Sequence, residues 1–90
     1  MTYRKITQNT NDVFGGRQIK IHRVVFVAGS DIATAVLEDA VTAGSNDFWK
    51  SGNVAAATKV NENWGDKGLV VNYVSITLTG TSPILYLYYS

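Results

Sequence analysis

The sequence predicts an all-β domain, a small antiparallel β-sandwich of jelly-roll or Greek-key type with six to seven short strands and an N-terminal arm. Three observations predict it. Turn-forming clusters recur about every eight to twelve residues, the spacing of short strands in a sandwich or barrel. The stretches between them alternate apolar and polar residues with period two, most clearly from Leu69 to Thr79. No segment supplies a crossover helix, so antiparallel pairing is expected.

Each element follows from local chemistry. Residues 1–16 carry little periodicity, with the polar turn-former run Gln8-Asn9-Thr10-Asn11-Asp12 and the pair Gly15-Gly16. They are expected to form an arm, with a short strand at Tyr3-Arg4-Lys5-Ile6, and residues 17–90 the sandwich. From Arg17, Ile19 and Ile21 alternate with Lys20 and His22. The alternation then slips, because Val24, Val25, Phe26 and Val27 run together; a bulge or burial on both faces is expected there. Ala28 to Asp31 is a turn.

Ile32 to Leu37 is expected as the next strand. A helix from Glu38 is excluded by the β-branched residues before it and the turn formers Thr42 to Asp47 after it. Phe48-Trp49-Lys50 is a short strand or a core anchor, and Ser51-Gly52-Asn53 a turn. Ala55 to Trp64 is read as a strand, with a helix through Ala55-Ala56-Ala57 as its rival; Thr58, Val60, Asn61 and Asn63 are poor helix formers. Gly65-Asp66-Lys67-Gly68 turns the chain. Leu69 to Thr79 and Ile84 to Tyr89 are the final strands, expected as a hairpin through Gly80 to Pro83.

Composition limits what such a domain can be. A chain of 90 residues buries only about 60–65% of the surface its unfolded form exposes. Small scaffolds commonly gain stability from disulfides, a metal or oligomerisation. There is no cysteine, and His22 is the only histidine, too few for a zinc site. Oligomerisation or docking is left. The charged fraction, 17% against about 25% in an average soluble domain, agrees, since less surface is built to face water.

The net charge is +1, with Lys and Arg scattered singly rather than in the basic stripe of a nucleic-acid binder, so no nucleic acid is expected. No apolar run approaches the roughly 20 residues that span a bilayer, and the start lacks the apolar stretch of a signal peptide, so no membrane partner is expected.

Catalytic chemistry has few carriers. His22 could serve as a general base, yet it stands beside Lys20 and Arg23 with no nucleophile-elbow motif in the chain. Asn61, Glu62, Asn63 and Asp66 make an oxygen-rich turn whose spacing matches no EF-hand loop. The glycines form no phosphate-binding pattern. No catalytic residue, cofactor or metal ligand is nominated.

The aromatics say more. Trp49, Trp64 and Tyr73 could line a sugar-binding face, with core packing as the ordinary account. Tyr86 and Tyr88 share one face of the last strand and Tyr89 takes the other. One face must be core, so aromatics on both imply that the second is covered too. With Tyr3, Arg4 and Ile6 of the arm, these three tyrosines are the candidate interface.

The stretch Val25-Phe26-Val27-Ala28-Gly29-Ser30-Asp31-Ile32-Ala33-Thr34-Ala35-Val36-Leu37 resembles a pattern of small tailed-phage structural proteins. So do Lys67-Gly68-Leu69-Val70-Val71, Thr77-Leu78-Thr79-Gly80-Thr81-Ser82-Pro83 and the closing Tyr88-Tyr89. The likeness covers roughly residues 17–90 and rests on strand and turn motifs. It implies a β-sandwich virion subunit such as a head decoration (cement) protein, often trimeric. That subunit would bind the major capsid protein on the capsid surface after synthesis in the host cytoplasm. Asn72 to Ile76 is extra length against that pattern, and Asn46 to Gly65 matches it poorly, so no capsid-contact residue carries over. The expectation is a non-enzymatic virion protein; a carbohydrate-binding or host-adhesion module of a tail or fibre is the alternative.

Overall fold

The computed structural model describes residues 2–90; Met1, first residue of the expected arm, lies outside the described residues. The chain forms eight strands in two antiparallel sheets, a small β-sandwich. They are β1 (Thr2–Ile6), β2 (Ile19–Val27), β3 (Thr34–Glu38), β4 (Asp47–Lys50), β5 (Lys59–Asn63), β6 (Leu69–Val71), β7 (Ser75–Thr79) and β8 (Ile84–Tyr89). The larger sheet runs β1-β8-β2-β5, with β6 also paired to β2; the smaller runs β4-β3-β7. The alternation expected of half-buried strands sets the core. Ile21, Val24, Phe26, Leu85 and Leu87 face inward from the larger sheet, and Ala35, Leu37 and Ile76 from the smaller, all at most 1% exposed.

The spine is β2. Its partner along one edge changes midway: β6 pairs with Ile19 to Ile21 and β5 with Arg23 to Val27. On the other edge the register with β8 jumps from Ile21 to Arg23, which makes His22 a bulge. The slip in apolar period expected near Val24 to Val27 originates there. Inward residues are odd-numbered before it (Ile19, Ile21) and even-numbered after it (Val24, Phe26).

The run from Leu69 to Thr79, the clearest alternation in the sequence, is two strands in different sheets. Asn72 to Val74 carries the chain across, and the inward parity flips from Leu69 and Val71 to Ile76 and Leu78. The crossing residues have no ladder partners, so their donors find one elsewhere. The Asp39 carboxylate accepts from the N–H of Asn72 at 3.2 Å and of Tyr73 at 2.9 Å.

The expected final hairpin is likewise overturned, because β7 pairs with β3 while β8 pairs with β1 and β2. Gly80 to Pro83 is a second passage between sheets. It lies so close to its neighbours that a Cβ on Gly29 would run into the Thr81 carbonyl oxygen. A Cβ on Gly80, at φ +108°, would sit 2.8 Å from the Ala33 Cβ.

Ala55 to Thr58 is neither strand nor helix. Ala57 takes a φ of 58°, Thr58 bonds back to the Ala55 carbonyl, and only Lys59–Asn63 is extended. The segment read as an arm is stitched to both sheets. Thr2–Ile6 pairs with Ile6↔Leu85 to Thr2↔Tyr89 register along β8. Thr10 exchanges two backbone hydrogen bonds with Ile76, and Val13 donates to the Val74 carbonyl.

Candidate interaction face

Residues directly opposite each other in an antiparallel pair point to the same side. The registers of the larger sheet therefore compose its outer face row by row. One row is Tyr3, Tyr88, Arg23 and Asn63; the next is Lys5, Tyr86, Val25 and Asn61. Ile84, Val27 and Lys59 continue it, and Lys20 opposite Val70 extends the face beyond the bulge.

The aromatic end is tightly built. The Tyr3 ring centroid lies 5.7 Å from that of Tyr88 and 6.2 Å from that of Tyr86, and the Arg23 guanidinium stands 5.6 Å from the Tyr88 centroid. Tyr3 is 59% exposed, and Val25, Val27, Ile84, Tyr86 and Tyr88 are half-buried. The face thus presents an aliphatic and tyrosine centre with Lys5, Lys20, Arg23 and Lys59 around it, and none of the chain's carboxylates points from these rows.

The nominated interface residues divide. Tyr3, Tyr86 and Tyr88 meet on this outer face. Arg4, Ile6 and Tyr89 point the other way: Ile6 is 7% exposed in the core, and Tyr89 packs on Phe14 with centroids 4.6 Å apart. Arg4 lies over the Phe14 ring and donates to the Val13 carbonyl at 2.9 Å. Sequence reasoning missed Lys5, Lys20, Arg23, Val25, Val27, Lys59 and Ile84. Their alternation with buried residues signals an outward face, but only the strand order makes that face one surface.

The other nominated groups sit apart. Trp49 opposes Leu37 on β4 and is half-buried, Trp64 packs against Phe48 at 6.4 Å, and Tyr73 lies in the crossing near Gly16. These three rings make no common platform. Glu62 points to the opposite side of β5 from Asn61 and Asn63, and Asn63 accepts from the Gly65 N–H at 2.7 Å. Among the described residues no three carboxylate or imidazole groups gather as metal ligands.

His22 is the surprise of this end of the sheet. Its bulge turns the imidazole, 7% exposed, into contact with two other segments. Nδ1 lies 2.9 Å from the Gly65 carbonyl, which can only accept, so Nδ1 carries the proton. Nε2 lies 2.7 Å from Ser90 Oγ, and in the neutral ring it accepts from that hydroxyl. The His22 carbonyl also takes the Trp64 N–H at 2.8 Å. A serine hydroxyl on a histidine nitrogen is a nucleophile–base distance. Here the second nitrogen meets a backbone carbonyl instead of the carboxylate that would stabilise an imidazolium. The arrangement clamps β2, the β5–β6 turn and the β8 end together. Ser90 carried no signal in the sequence, because its role exists only once β8 lies beside β2.

Comparison of the chain with protein families, curated proteins and solved structures finds no match.

Proposed function

We propose that this chain is a non-enzymatic structural protein of a phage particle, a head decoration (cement) subunit. It works as a homo-oligomer, a trimer by the resemblance, that binds the major capsid protein and stabilises the shell. The observation that carries the proposal is the outer face of the larger sheet, where aliphatic and tyrosine side chains point outward, Tyr3 and Val70 exposed and the others half-buried. Interfaces are enriched in Tyr and Arg at an apolar centre, and this face has that composition. The strand and turn motifs over residues 17–90 supply the virion context. A domain of this size also gains stability by docking.

Two measurements test the proposal. Mass spectrometry of purified particles should find the chain as a stoichiometric component, and light scattering of the free protein at tens of micromolar should give an oligomer mass. A strict monomer absent from particles would overturn it. Tryptophan quenching by glycans, with the chain absent from heads, would move it to the host-adhesion alternative.

A further inference from the structure

We infer that the outer face of the larger sheet docks on a carboxylate-bearing surface of a different protein, and not on another copy of this chain. The inference rests on the docking function proposed above and names the chemistry of the partner.

Charge distribution carries it. The chain has 8 Lys and Arg against 7 Asp and Glu, close to balance. The fold unbalances them. Lys5, Lys20, Arg23 and Lys59 share the outer face of the larger sheet with no carboxylate in its rows; Asp66 of the β5–β6 turn lines a depression with Arg23, Asn63 and Tyr88 at one end of that face. Among the described residues the only ion pair is Lys50 with Asp47, so all four cations lack a carboxylate partner.

Self-association through this face fails on sign. A two-fold contact is self-complementary, so it would set cations against cations with nothing to answer them. Another face of a second copy fares little better, because most of the chain's own carboxylates are held by nearby backbone or by Lys50 at scattered places in the fold. Glu38 accepts from Gly44 N–H, Asp39 from Asn72 and Tyr73, Asp12 from Gly16 and Asp31 from Ile32, and Asp47 pairs with Lys50. Glu62 and Asp66 remain, on the β5 edge and its turn. Two carboxylates there do not complement four cations spread over β1, β2 and β5.

Single-stranded nucleic acid is the other polyanion that tyrosines and cations on a sheet can bind. Base stacking needs open ring faces. Here Tyr86 and Tyr88 are half-buried against Tyr3 and Arg23, which leaves Tyr3 as the one exposed ring of the three, and the centre of the face is aliphatic through Val25, Val27 and Ile84. An apolar centre with a charged rim is the anatomy of a protein–protein contact.

The test uses purified particles that contain the chain, treated with a zero-length carbodiimide, which joins a lysine amine to a carboxylate in contact with it. Mass spectrometry should find Lys5 and Lys59 linked to Asp or Glu of another protein, with the intrachain Lys50–Asp47 link as positive control. The double variant Lys5→Glu/Lys59→Glu should enter particles at least about tenfold less than wild type, since like charges facing across an interface cost several kcal/mol. Its melting temperature should be unchanged, and Lys50→Gln, on the opposite face of the molecule, should enter normally.

Links from Lys5 and Lys59 only to copies of this chain would overturn the inference. So would their absence while the control link forms. Binding of a labelled oligodeoxythymidine by the free protein at physiological salt, lost in Tyr3→Ala, would replace the protein partner with nucleic acid. Absence of the chain from particles would remove the virion reading and this partner with it, a result distinct from a chain that is present but not linked.

Discussion

The outer faces of the two sheets are built on opposite plans. On the smaller sheet, Thr34 and Thr79 share a hydroxyl contact of 2.6 Å, and Lys50 pairs with Asp47 at 2.9 Å. Asp47 raises the Lys50 pKa above its ordinary value by accepting its hydrogen bond and by its charge. At the other end of that face the loop after β3 folds over Glu38 and Ser75, burying both, while Glu38 accepts from the Gly44 N–H and the Ser75 hydroxyl donates to the Ala40 carbonyl. Polar groups there are satisfied within the chain. The larger sheet has tyrosines, valines and cations outward, with Tyr3 and Val70 exposed and Val25, Val27, Tyr86 and Tyr88 half-buried. Paired polar groups hold the small face to its own loop, whereas the four cations of the large face have no ion-pair partner among the described residues.

Substitutions can break or sharpen this contrast. The largest effect belongs to the loop side. Asp39→Ala removes the acceptor of two backbone N–H groups at the sheet crossing and should cost about 3 kcal/mol in urea unfolding, because donors left without partners lose more than one bond's net worth. Ser75→Ala comes next. Its hydroxyl, fully buried, bonds the Ala40 carbonyl and accepts from the Asp12 N–H, so about 2 kcal/mol is expected.

His22→Ala, which opens the clamp between the Gly65 carbonyl and Ser90, should cost about 1–2 kcal/mol and speed amide exchange at Trp64. On the large face, Lys5→Ala and Lys59→Ala should each move stability by no more than about 0.5 kcal/mol, since neither has an ion-pair partner among the described residues. A loss above about 1 kcal/mol there, or none at Asp39, would erase the contrast.

The resemblance of strand to sequence varied along the chain for physical reasons. β3, β8 and the two halves of β2 are legible because inward apolar residues alternate through each, and β4 because of its adjacent aromatics Phe48 and Trp49. The break within Leu69 to Thr79 shows in the sequence only as adjacent apolar Tyr73 and Val74, where the alternation changes phase; that this is a crossing between sheets depends on the Asn72 and Tyr73 N–H groups turning to Asp39, distant in the chain. The Gly80 to Pro83 turn reads as a hairpin in the sequence. It crosses sheets because Gly29 leaves room for its carbonyls, a fit no local pattern announces. Of the candidate face, Tyr3, Tyr86 and Tyr88 could be named from aromatic placement, whereas the four cations look scattered because Lys5 and Lys59 are distant in the chain and Lys20 and Arg23 share a side only through the His22 bulge.

By itself the sequence determined that the chain is all-β, roughly where most strands lie, and which side chains within each strand oppose one another. That follows because successive residues of a strand point to opposite sides, a property of the local backbone. The tertiary structure alone decided which strands are neighbours. Antiparallel pairing sets Tyr3 beside Tyr88 and Tyr88 beside Arg23, residues from the two ends and the middle of the chain, and so turns isolated charges into one cationic face. The partner of a strand edge is chosen by the packing of the whole core, since every edge offers the same backbone donors and acceptors.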